Sequence, residues 1–141
     1  MQELSPVGVP PFAYVSSVTL LTLLVYFWMA VRVARTRVRT GILAPAMTGD
    51  PVLERTIRAH GNTLEWLPIF LPSMWLLAFY WSDAVAAAVG VVWIAGRILY
   101  FTGYVDAPER RRPGFFIQVC AVAILLFGAL GRLIYLIVEA A

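Results

Sequence analysis

The sequence predicts an all-α integral membrane protein, a bundle of four transmembrane helices forming one domain over residues 1–141. Two observations predict it first: 61% of the residues are hydrophobic, and only 13% are charged. A soluble fold of 141 residues cannot hide that much apolar surface. The third is the grouping of the apolar residues into four segments near the length of about 20 residues that a spanning helix needs.

The first segment covers residues 12–33, after a proline-rich start from Ser5 to Pro11 that suits an irregular lead-in. The absence of a basic n-region before it, where Glu3 stands, marks it as a retained anchor rather than a cleaved signal. The second helix is expected over 52–81, opened by Asp50 as N-cap and Pro51 at the first helical position. Its first turns are polar, its apolar part begins near Leu64, and Pro68 and Pro72 are expected to bend it. The third helix is expected over 84–104 and the fourth over 113–138. The short link Trp81-Ser82-Asp83 makes helices two and three antiparallel neighbours, and the longer stretch from Thr40 to Pro51 reads as an ordered loop.

Every basic residue is arginine, and nine of the eleven arginines fall on or beside two connections. Arg32, Arg35, Arg37, Arg39, Arg55 and Arg58 accompany the first, and Arg110, Arg111 and Arg112 the second. Four crossings put both connections on one side, and the excess of positive charge assigns that side to the cytoplasm. The termini then face outward, with Glu3, Asp83 and Glu139. No nucleic-acid-binding module is present, so the arginines suit a membrane surface or a small anionic ligand. The lone Cys120 has no partner for a disulfide and reads as a small buried hydrophobe; with a single histidine, His60, no cluster has metal-ligand spacing.

Ionisable groups inside apolar helices carry a functional expectation unless a neighbour satisfies them. Arg55, Arg58, Asn62 and Glu65 recur at helical spacing and form one polar stripe on helix two. Arg97, Tyr100 and Tyr104 form a second stripe on helix three. With Arg37 and the run Arg110-Arg111-Arg112, they suit a small peptide-like polyanion that also carries an amino group. Bland readings stand beside this one. The arginine run equally suits a headgroup anchor, Arg97 and Glu65 a structural ion pair, and the tyrosines an interfacial belt. Arg132 reads as snorkelling outward, and Ala86, Ala87, Gly90, Gly128 and Gly131 as small residues allowing close helix approach.

The run from Glu54 to Glu65, ERTIRAHGNTLE, followed by Pro68 and Phe70, resembles the signature E-R-x-x-R-A-x-x-N-x-x-E of the membrane-associated proteins in eicosanoid and glutathione metabolism. Arg97, Tyr100 and Tyr104 are similar to that family's R-x-x-Y-x-x-x-Y segment. The resemblance implies a homotrimer holding glutathione as cosubstrate at cytoplasmic subunit boundaries. Arg37, Arg58, Asn62, Glu65, Tyr100 and Tyr104 would bind it, and Arg111, four residues before Phe115, would activate its thiol. Arg110 and Arg112 remain alternatives for that last role. The second substrate would be a lipophilic electrophile or a lipid hydroperoxide arriving from the bilayer. Trp66 and Gly61 depart from the eicosanoid-producing members and favour a general conjugating or peroxide-reducing transferase. A non-catalytic ligand-binding or regulatory protein on the same fold, and a small transporter, are the competing readings.

Overall fold

The computed structural model describes residues 8–141. Glu3 therefore lies outside the described residues. Four long helices follow one another: α1 Ala13–Thr40, α2 Pro51–Tyr80, α3 Asp83–Asp106 and α4 Arg112–Glu139, the last preceded by a 3-10 turn, Pro108–Arg111. No strand occurs among the described residues.

Helix α1 runs seven residues past the predicted end at 33, so Arg35, Arg37 and Arg39 stand on a helix and not in a loop. Arginine is a good helix former and is favoured at a helix C-terminus. Nothing stops the helix until Gly41, which takes the left-handed conformation at φ 71°. The connection shrinks to residues 41–50 and is tied down at both ends. Arg37 donates to the carbonyls of Ile42 and Ala46, and the Gly49 amide donates to Glu54. Asp50 caps α2 by accepting from the Leu53 amide at 2.8 Å. Helix α2 then continues as a single helix through Pro68 and Pro72.

Helix α1 begins without a side-chain cap of its own. Asp83, at the start of α3, supplies it across the bundle, its two carboxylate oxygens accepting from the amides of Tyr14 and Val15 at 3.1 and 2.9 Å. Asp83→Ala is expected to lower stability by about 1–2 kcal/mol, with Asp83→Asn between it and the parent. Thermal unfolding in detergent checks this. At the same end Arg132 donates to the Tyr80 carbonyl at 3.1 Å, so it closes the C-terminus of α2 where snorkelling to the headgroups was expected.

The core is apolar and aromatic, with Phe70 stacked on Trp93 at 3.9 Å between ring centroids. The outside is apolar too: Leu24, Phe27, Phe116 and Phe127 are each about two-thirds exposed. A surface of that kind requires a bilayer. The protein is integral to the membrane. Helices α1, α3 and the span from Pro108 to Glu139 are each long and apolar enough to cross it. Helix α2 falls short of that measure because its first four turns carry the charged and polar stripe.

Cys120 is exposed on an apolar groove between α3 and α4, beside Val92, Phe116 and Ile124. The expectation of a buried residue fails because the apolar surroundings of Cys120 are not the chain's own interior. Close helix approach is as expected on α3, where Ala86 and Ala87 are buried and an added Cβ at Gly90 would meet Met74 and Val18, but on α4 it lies elsewhere. Gly131 has open space around it and Gly128 meets only Leu77 at ordinary distance, whereas Gly96, Gly103 and Gly114 press α3, the 3-10 turn and α4 together.

Candidate functional site

A cavity of about 370 Å³ opens at the polar ends of α2, α3 and α4, lined by Arg58, Asn62, Tyr100, Arg111, Arg112, Phe115 and Phe116. Each side of it follows from a local rule. On α2, Arg58 and Asn62 lie four apart and share a face, with Glu65 one turn further on. On α3, Tyr100 is packed into the core while Tyr104 is half-buried. The tight turn that places Arg111 is held by the Arg110 amide donating to the Ala107 carbonyl. The backbone at Gly114 lies so close to α3 that an added Cβ would meet the Gly96 oxygen at 2.6 Å and the Tyr100 Cα at 2.7 Å.

Polar contacts link the residues in a row. Arg97 is fully buried and donates from Nη1 to Asn62 Oδ1 at 3.1 Å. Asn62 Nδ2 in turn donates to Glu65 Oε2 at 3.0 Å. Arg97 and Glu65 thus communicate through the amide of Asn62 in place of the direct ion pair considered from sequence. The buried guanidinium of Arg97 also lies over the rings of Tyr100 and Trp93, at 4.7 and 5.4 Å, which offsets part of its desolvation. Arg111 lies over the Tyr104 ring at 4.8 Å, so the phenol steers the guanidinium.

Of the residues singled out from sequence, Arg58, Asn62, Tyr100 and Arg111 line one cavity. Glu65 joins through Asn62, and Tyr104 through Arg111. Arg37 does not line it within one chain; its Nη1 donates to the Ile42 and Ala46 carbonyls of the 41–50 loop. Arg55, on the same stripe, turns away and donates to the Val105 carbonyl at 3.0 Å. Arg110 pairs with Asp106 at 2.7 Å and lines a separate hollow beside Thr102 and Pro113. Of the arginine run, Arg111 and Arg112 face the cavity. His60 stacks on Tyr26 at 4.5 Å between ring centroids.

Sequence reasoning missed Gln118, fully buried on α4 with no partner for either amide atom among the described residues. One polar residue in an apolar run of α4 gave no helical stripe to read. Phe116 was missed for the opposite reason: an aromatic in a membrane helix carries no signal of its own.

The model of the MAPEG family matches residues 15–131. The chain belongs to that family. Relatives cover most of its length. An uncharacterized protein of Synechocystis sp. is 42% identical over 80% of this chain and 82% of its own. Human microsomal glutathione S-transferase 2 is 37% identical over 82% of this chain and 80% of its own. Leukotriene C4 synthase of Cavia porcellus is 32% identical over 92% of this chain and 87% of its own. The stretch matched by the family model contains every residue lining the cavity.

Proposed function

We propose that this protein is a glutathione-dependent membrane enzyme, acting on lipophilic electrophiles or lipid hydroperoxides, with the α2–α3–α4 cavity as its glutathione site. The observation that carries the reading is the convergence of Arg58, Asn62, Tyr100 and Arg111 on one cavity in a chain of this family. Glutathione carries two carboxylates, an ammonium, two amide links and a thiol. Guanidinium forks of Arg58 and Arg112 suit the carboxylates, Glu65 the ammonium and Asn62 an amide. Tyr100 and Tyr104 border the thiol end, where Arg111 stands.

The chemistry follows from charge. A thiol of pKa about 8.5 is mostly protonated at neutral pH, and a guanidinium within hydrogen-bond reach stabilises the thiolate. The first turn of α4, from Arg112, adds the positive end of a helix dipole to the same place. The proton leaves to solvent. The sulfur lone pair forms a bond to the electrophilic carbon, and the displaced electron pair leaves with the departing group or opened ring oxygen. For a hydroperoxide, two glutathione molecules give the disulfide while the peroxide oxygens leave as alcohol and water.

In this reading α2 is the fourth crossing, its polar first turns shielded by the neighbouring helices and by the headgroups. The basic ends face the cytoplasm and the termini the other side, by the distribution of arginine. Three copies assemble, and Arg37 of each chain reaches the glutathione of its neighbour, a role that accords with its absence from the lining of its own cavity. The whole chain acts as one membrane domain.

Mixing detergent-purified protein with glutathione while following thiolate absorbance tests the proposal, with native mass spectrometry reading the number of copies. Thiolate formation and a trimer are expected. Absence of any glutathione binding sinks the enzyme reading, and binding without thiolate points to a regulatory role on the same fold.

A further inference from the structure

A second polar cavity, of about 490 Å³, lies on the other side of the bundle between α1, α2 and α3. It is lined by Arg32, Arg35 and Arg39 of α1, Arg55 of α2, and Thr36, Val52, Val105 and Asp106. It shares no residue with the glutathione cavity. The spacing of 32, 35, 36 and 39 puts the α1 residues on one helix face, so extension of α1 beyond its apolar part is what creates the site.

The charge of this cavity is unbalanced. Its one carboxylate, Asp106, is engaged by Arg110 at 2.7 Å. None of the four lining arginines pairs with a carboxylate among the described residues. Arg55 spends only its Nε, on the Val105 carbonyl, and keeps both terminal nitrogens. Arg32 lies over the Trp28 ring at 5.6 Å, which holds it in place without neutralising it. Four cations beside a single carboxylate that is already paired with Arg110 call for a compact anion with several oxygens. The cavity stands where α1 passes from its apolar part to its basic end, the depth of lipid phosphates.

We propose that this cavity binds a phosphate monoester group, carried either by an acidic phospholipid of the inner leaflet or by a soluble phosphate. The inference is independent of the thiol chemistry, since a different cavity carries it. The test places the protein in nanodiscs of phosphatidylcholine alone, of phosphatidylcholine with phosphatidic acid, or of phosphatidylcholine with oleate, an anionic lipid without phosphorus. Thermal unfolding is read in each, and in the phosphatidylcholine discs also with added inorganic phosphate. Native mass spectrometry counts retained phosphatidic acid.

The Arg35→Gln/Arg39→Gln double variant removes two exposed arginines that donate no hydrogen bond among the described residues, so it folds as the parent does by circular dichroism. Phosphatidic acid is expected to raise the unfolding temperature and to remain bound, with affinity falling at least about tenfold for each arginine removed. A rise with inorganic phosphate that the double variant also loses identifies the soluble source. No rise from either phosphate, an equal rise from oleate, or a rise that survives in the double variant overturns the proposal.

Discussion

Arg111→Ala is expected to abolish thiolate absorbance and to lower turnover by about 100- to 1,000-fold, the loss typical when one preorganised charge stabiliser is removed. The reason is geometric. The guanidinium is fixed by the tight 3-10 turn and by the Tyr104 ring at 4.8 Å, and it faces the cavity that Arg58 and Asn62 share. Neighbouring arginines provide the controls. Arg110 is paired with Asp106 and lines a different hollow, so Arg110→Ala leaves thiolate formation near that of the parent. Arg112 lines the cavity, and Arg112→Ala raises the glutathione KM more than it lowers kcat. Arg111→Lys keeps the charge but loses the planar fork, and falls between alanine and the parent. Full thiolate formation in Arg111→Ala, with its loss in Arg110→Ala, would move the activating role to the other side of the turn.

The fold was legible because apolar helices leave little ambiguity, and the α2 stripe because polar residues at helical spacing are expensive inside a membrane. Arg58, Asn62 and Tyr100 could be picked out on those grounds alone. Arg111 could not: three consecutive arginines look alike in sequence, and the structure sets apart Arg110, paired with Asp106, while Arg111 and Arg112 both line the cavity. The end of α1 was misplaced because hydropathy falls at Val33 while helix propensity does not, and the second arginine cavity stayed out of view with it. Cys120 was misjudged because in a membrane protein an apolar neighbourhood does not imply a protein interior. Close helix contacts hold at Gly90 but were misassigned at Gly128 and Gly131 for a related reason. Small residues can be counted in a sequence, but which of them faces another helix is set by rotation about the helix axis.

Gly114→Ala carries that last point to the site itself. A methyl group there would meet Gly96 O at 2.6 Å, Tyr100 Cα at 2.7 Å and also the Tyr100 amide nitrogen, all of them backbone atoms inside a helix, which cannot swing aside. The first turn of α4 must then move away from α3, at a cost of about 1–3 kcal/mol. That turn carries Arg111 and Arg112, while Tyr100 sits on the helix it leaves, so the two sides of the cavity separate. Displacement by about 1 Å lowers a reaction that depends on alignment by about 100-fold. Thermal unfolding and thiolate absorbance should therefore both fall. The same substitution lower on α4 separates crowding from any general dislike of alanine. Gly131→Ala meets open space and Gly128→Ala meets only the Leu77 side chain at 3.4 Å, so both are expected to be neutral or to gain up to about 1 kcal/mol from helix propensity. A Gly114→Ala protein as stable and as active as its parent would mean that α3 and α4 do not hold the thiol site by backbone contact at this point.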